Sequence, residues 1–193
     1  MASCGAVNGE LRFADPVTRT CVFVCNIEQN YYGDTLTGKC VTTCSSNQER
    51  DNSTQRCVAT CPSNPDYYAL ESQFKCVRVC PDPLYASANS ARLCVADCGI
   101  YGTFGDPTTN RCTPNCPEPY FADDSTHKCV LNCPSSPDYY ADPHSRTCVS
   151  KCPKSSDWVS FAETIDRTCV TRCPANYYAE NDTQVCLTQC PAN

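Results

Sequence analysis

Cys169-Val170-Thr171-Arg172-Cys173-Pro174 decides how this chain is read, because the same four-residue cysteine step occurs ten times in 193 residues. The other steps begin at Cys21, Cys40, Cys57, Cys76, Cys94, Cys112, Cys129, Cys148 and Cys186. Val follows the first cysteine in eight steps and Pro follows the second in seven. Cys4 stands alone, where the second cysteine of a further step would fall. Successive first cysteines lie 17 to 21 residues apart, which is the signature of a tandem repeat.

Composition requires something other than an ordinary core. Leu, Ile, Val and Phe together make up 30 of the 193 residues, too few for burial to offset the entropy of ordering the chain. The 21 cysteines supply the missing order. Zinc sites favour Cys-x2-Cys turns, whereas every spacing here is Cys-x3-Cys and the chain holds two histidines. Disulfides in an oxidising, extracellular or cell-surface setting are therefore the better reading, with no metal and no cofactor. A net charge of −6 disfavours nucleic acid as a partner. No apolar run approaches a membrane span. Residues 1–7 show neither the charged start nor the apolar stretch of a signal peptide, so secretion implies a targeting sequence removed or lying outside this chain.

The segments between steps share a grammar. Phe13-Ala14-Asp15, Tyr31-Tyr32-Gly33-Asp34, Phe121-Ala122-Asp123, Tyr139-Tyr140-Ala141-Asp142 and Tyr177-Tyr178-Ala179-Glu180 each run from aromatic to small to acidic. Ser, Thr or Asn follows, and then the next cysteine. This predicts a short β-hairpin with aromatic strand residues and a polar tip. Lys or Arg lies one or two places before the first cysteine in nine of ten cases, and is expected to face the tip acid. The segment 45–56 lacks an aromatic and carries Gln48 and Glu49 instead.

Two regular pairings are possible. Each step could close on itself, leaving Cys4 over. An extended step, however, holds its cysteines about 13 Å apart, and a disulfide needs Cα atoms within about 7 Å. The alternative joins the second cysteine of one step to the first of the next. It gives Cys4–Cys21, Cys25–Cys40, Cys44–Cys57, Cys61–Cys76, Cys80–Cys94, Cys98–Cys112, Cys116–Cys129, Cys133–Cys148, Cys152–Cys169 and Cys173–Cys186, with Cys190 unpaired or intermolecular. Each bridge then closes one hairpin at its open end, a constraint worth about 3 kcal/mol per loop.

Cys-Val-x-x-Cys-Pro followed by an aromatic-rich finger resembles the furin-like cysteine-rich repeats of growth-factor-receptor ectodomains. It is closer still to the long repeat arrays of protist surface proteins such as ciliate cell-surface antigens. The resemblance implies single-disulfide β-fingers, bridged from the cysteine before Pro to the next one downstream. Receptor regions mix one- and two-disulfide modules, whereas the modules here are uniform.

The expected fold is a small disulfide-rich all-β repeat, a rod-like solenoid of stacked fingers with no continuous hydrophobic core. It comprises one tandem array over 1–193, with modules at 4–21, 25–40, 44–57, 61–76, 80–94, 98–112, 116–129, 133–148, 152–169 and 173–186. A further module starts at 190–193, so the chain is expected to belong to a longer array or to meet a neighbouring chain at Cys190. Val, the disulfide and the Tyr pair form the contact layer between neighbours, and each step advances about 13 Å if extended.

His127 beside Thr126 and His144 beside Ser145 lack the third group and the pocket that a hydrolase needs. They read as solvated tip residues, and Trp158 reads as a packing aromatic. Asn52 and Asn181 head N-x-[ST] sequons at tips and are candidates for N-linked glycan. The expected function is non-enzymatic: a secreted, glycosylated, self-associating protein of a filament or cell-surface coat, docking head-to-tail or laterally. The alternative is the stalk or binding region of a cysteine-rich surface receptor or antigen.

Proteolysis without reduction tests the pairing. It should release a peptide joining Cys44 to Cys57, and a peptide joining Cys57 to Cys61 would overturn the scheme.

Overall fold

The computed structural model describes residues 4–190 except 46, 65, 88, 90, 91, 156 and 157. The further module expected at 190–193 therefore lies, beyond Cys190, outside the described residues. The 20 strands form ten antiparallel hairpins, fingers 1 to 10. Three short 3-10 turns, Ile27–Gln29, Glu71–Gln73 and Gly99–Tyr101, are the helical segments among the described residues. Finger 8 is representative. Its outgoing strand Tyr140–Asp142 pairs with the returning strand Thr147–Val149, in the register Tyr140↔Val149, Ala141↔Cys148 and Asp142↔Thr147.

Ten disulfides run from Cys4–Cys21 to Cys173–Cys186, each between the second cysteine of one step and the first of the next. Their Cα separations of 5.5 to 5.7 Å suit an unstrained bridge. The two cysteines of a step serve different fingers.

The tips are built on buried carboxylates. Asp34, Asp51 and Asp123 are each at most 1% exposed. Asp123 accepts from the Ser125 amide at 3.0 Å, the Ser125 hydroxyl at 2.7 Å and the Thr126 hydroxyl at 2.6 Å. Asp51 and Asp106 bind Ser53 and Thr54, and Thr108 and Thr109, in the same way. These short side chains satisfy the turn from within, as Asx turns do. In finger 4 the acid is replaced by buried Leu70, and the tip is a 3-10 turn instead.

The residue two places before each first cysteine has a positive φ. Arg19, Gly38, Gln55, Phe74, Arg92, Asn110, His127, Arg146, Arg167 and Gln184 all do so, with φ from 49° to 66°. Only glycine, and to a lesser degree asparagine, adopts this conformation at low cost. The hairpin tip holds the others there, because the amide of this residue bonds back to the carbonyl of the tip acid, as Arg19 to Asp15 and Arg146 to Asp142, and its own carbonyl then forms the joint between fingers. Gly38, Gln55, Phe74, Arg92, His127, Arg146, Arg167 and Gln184 each accept from the central outgoing-strand amide of the preceding finger. Those donors are Ala14, Gly33, Arg50, Ala69, Gly105, Ala122, Ala141 and Ala162, at 2.7 to 2.9 Å. Within each of the two compact units described below, outgoing strands thus pair in parallel with the returning strand of the next finger, as Ala141↔Thr168 shows.

Packing follows the joint. Around Cys133–Cys148 gather Tyr139 and Ala141 of the same finger and Phe121 and Val130 of the preceding one. Around Cys152–Cys169 gather Ala162, Tyr140, Val149 and Val185. A Tyr pair is therefore divided: Tyr139 covers its own disulfide and Tyr140 covers the next. The apolar core is a series of small clusters, each closed by two neighbours.

The chain falls into two compact units, Met1–Ala96 and Asp97–Asn193. In the first, fingers 1 to 4 form an open eight-stranded sheet, and Ala69↔Leu93 links finger 5. In the second, fingers 6 to 10 repeat the same alternation of returning and outgoing strands. Two strands per finger set an advance of about 10 Å, shorter than an extended step implies.

Removing a tip carboxylate tests this account. Asp123→Ala is expected to cost about 1–3 kcal/mol locally, because it removes three hydrogen bonds to a buried, charged acceptor. Hydrogen exchange should show Ser125 and the Ala122–Arg146 joint losing protection while distant fingers keep theirs.

Candidate functional site

The joint doubles as a recognition device, and Arg gives it specificity. Arg92, Arg146 and Arg167 occupy the positive-φ position, which aims the guanidinium back over the preceding finger. There it lies 5.0 Å from the ring centroid of Tyr68, 5.0 Å from Phe121 and 5.3 Å from Tyr140. Each also donates to the carbonyl just before that aromatic: Tyr67 at 2.9 Å, Tyr120 at 2.7 Å and Tyr139 at 2.7 Å. An acid in the same lead-in completes the grip, as Asp66, Glu118 or Asp138. These arginines were expected to face their own tip acid. They go to the neighbouring finger because the left-handed turn points them there, and the tip acids are occupied by hydroxyls and amides.

Two fingers have residues more exposed than their counterparts elsewhere. In finger 10, Tyr178 is 56% exposed, whereas Tyr32, Tyr68 and Phe161 at the same place are 5% exposed. Ala179, next along, is exposed too. In finger 1, Arg19 is exposed at the positive-φ position, and Cys21 is the exposed member among the returning-strand cysteines. Cys190 is free and exposed.

Both sequon asparagines sit on tips and are exposed. The Asn52 side-chain amide oxygen accepts from the Tyr32 hydroxyl at 2.6 Å. The sequon hydroxyls of Thr54 and Thr183 are held by the tip acids Asp51 and Glu180.

The histidines have partners that the sequence did not show. His127 Nδ1 lies 2.9 Å from Asp97 Oδ1, and its ring occupies the space that a side chain at Gly99 would need. His144 packs against Trp158 with ring centroids 5.0 Å apart. The adjacent Ser145 hydroxyl is bound to Asp142 at 2.6 Å, so it is directed into the turn.

Finger 3 is the irregular one. Gln48 and Glu49 fill the aromatic slots, and Gln48 Oε1 and Glu49 Oε2 are buried without a hydrogen-bond partner. Arg50 compensates by donating to Gln73 and Phe74 carbonyls at 2.6 and 3.2 Å. Burial, and then the neighbouring Glu71, push the Glu49 carboxyl above the ordinary glutamate range. The Asp34 carboxyl goes the other way: burial raises it, but bonds from Ser45, Leu36 and Thr37 outweigh this and hold it low. Asp106 is held low against burial by Thr108 and Thr109 in the same manner.

Among the described residues no helix is long and apolar enough to cross a membrane, and no cluster of three or more His, Cys, Asp or Glu is placed to hold a metal ion. No family model, curated protein or solved structure matches the chain.

Acid should act with opposite signs along the stack. Depressed carboxyls stabilise above their unfolded value and lose that contribution as pH falls through the folded one. The tips at Leu36 and Thr108 are thus expected to lose hydrogen-exchange protection below about pH 4, near the unperturbed aspartate value. A raised carboxyl destabilises when ionised, so protonating Glu49 should strengthen finger 3. Equal loss of protection in all three fingers would contradict these assignments.

Proposed function

We propose that this is an extracellular structural repeat protein that builds a filament or a cell-surface coat and carries glycan on its tips. The observation that carries this reading is the one-way character of the joint. Each finger except the third, which has no aromatic, offers an aromatic and an amide on one face, and a carbonyl and in several cases an arginine on the other. Such a heterologous contact adds units without closing. The density of disulfides supports an oxidising compartment, and the exposed tip asparagines support glycosylation. The resemblance to cysteine-rich surface arrays is in keeping with both.

Electron microscopy of native material is expected to show end-to-end assemblies. Monomers at high concentration would favour the stalk of a surface receptor or antigen instead. An N-glycosidase digest should lower the mass and convert Asn52 and Asn181 to Asp. Unmodified asparagine at both positions in native material would remove the glycan from the proposal.

A further inference from the structure

Both sequons lie on exposed tips, yet their polar groups are committed to the fold. In finger 3, Asn52, Ser53 and Thr54 are all exposed, and Asp51 beside them is fully buried. Asp51 accepts from the Ser53 amide at 2.9 Å, the Ser53 hydroxyl at 2.7 Å and the Thr54 hydroxyl at 2.6 Å. The Gln55 side chain donates to the Asn52 main-chain carbonyl at 2.7 Å. From finger 2, the Tyr32 hydroxyl donates to the Asn52 side-chain oxygen at 2.6 Å. In finger 10, Glu180 accepts from the Asp182 amide at 3.1 Å, from the Thr183 amide at 2.6 Å and from the Thr183 hydroxyl. The residue of finger 9 in the place of Tyr32 is Phe161, which has no hydroxyl to give Asn181.

Glycan transfer makes demands that the closed tip does not meet. The asparagine amide nitrogen attacks the anomeric carbon of a diphosphate-linked oligosaccharide. A carbon–nitrogen bond forms, the carbon–oxygen bond to the diphosphate breaks, and one amide proton leaves. The N-x-[ST] rule means that the transferase reads the hydroxyl two places on. In the closed tip that hydroxyl is already donated to Asp51. The attacking lone pair must also leave the amide resonance that holds it. A hydrogen bond to the amide oxygen strengthens that resonance, so the Tyr32 hydroxyl opposes the attack at Asn52.

We propose that Asn52 takes its glycan while finger 3 is still open, and that two brakes then end the modification: closure of the tip on Asp51 and docking of Asn52 on Tyr32. Asn181 is subject to the first brake alone, through Glu180. This rests on the glycan reading above and adds its timing. The bridges set the order of events. Asn52 lies inside the Cys44–Cys57 loop and Tyr32 inside the Cys25–Cys40 loop. The two fingers are joined where the Gly33 amide meets the Gln55 carbonyl at 2.9 Å. Transfer to Asn52 therefore precedes that joint. Surface exposure alone would leave the sequon open at any stage, and it is the hydrogen bonding that closes it.

The test compares two forms of the 193-residue chain made without glycan. One is oxidised, with intact mass checking that all ten bridges have formed, and the other is reduced and alkylated. Both are incubated with detergent-solubilised oligosaccharyl transferase and a lipid-diphosphate oligosaccharide, and occupancy at each asparagine is followed by peptide mass. The open chain should accept glycan at both positions. The bridged chain should accept it at Asn52 about 10- to 100-fold more slowly, the effect of releasing a hydrogen bond to a charged acceptor. In the bridged chain Tyr32→Phe should raise the rate at Asn52 by about 2- to 10-fold and leave Asn181 unchanged. Equal rates at Asn52 in the bridged and open chains would overturn the timing while leaving the glycan reading standing. An unchanged rate at Asn52 in the Tyr32→Phe chain would remove the second brake. An open chain that takes no glycan at either asparagine would overturn the timing and the glycan reading together.

Discussion

A finger of this size cannot fold by burial. Its strands are two or three residues long, and an isolated two-stranded hairpin is marginal in water. The disulfide at its base is the constraint on which everything else depends. It closes the loop before any packing is required, and so limits the freedom of the unfolded chain. It is also buried in several fingers, with Cys80, Cys98 and Cys152 each at most 2% exposed. The bridge therefore acts both as a covalent staple and as the surface on which the neighbouring aromatic rests.

With the base closed by sulfur and the tip closed by a carboxylate, a finger is set at both ends without a core of its own. The two devices differ in what they tolerate. Every base requires two cysteines. The tip requires only some internal partner for its backbone, so Asp, Glu, or a short 3-10 turn after Leu70 all serve. Residue type varies at the tip while its length stays nearly constant, and the differences in finger length fall in the lead-in between the first cysteine of a finger and its outgoing strand.

Much of this was legible in the sequence, for a physical reason. Cysteine spacing is a covalent signal, and the aromatic-small-acid run reports strand and turn directly. The joint was not legible. Arg and Lys at one and two places before the cysteine look equivalent along the chain, but one lies on the strand and the other in a left-handed turn, and so they point differently. Gly38 and Asn110 hint at that conformation. Phe74, Arg146 and Gln184 argue against it, since their local preference is right-handed or extended. Closure of the tip, with the amide of this position bonded back as Arg146 to Asp142, overrides that preference, and the joint that its carbonyl forms with a neighbouring finger is a tertiary contact that a single sequence does not display. The same holds for His127, whose ring fits only because Gly99, 28 residues earlier, has no side chain.

The joint also explains why residue types vary so freely at the position that forms it. Its obligatory atoms belong to the backbone: an amide in the outgoing strand and a carbonyl in the next tip. Side chains then grade its strength. Arginine adds a ring contact and a second hydrogen bond, His127 adds a hydrogen bond with Asp97, and Gly38 adds nothing of its own. The joints thus differ in side-chain contacts on one backbone scaffold. In finger 3 Gln48 and Glu49 replace the aromatics, and Arg50 donates to the Gln73 carbonyl. Because the grading lies in side chains and the geometry in the backbone, a face bearing arginine meets a face bearing tyrosine in the same manner wherever the two occur.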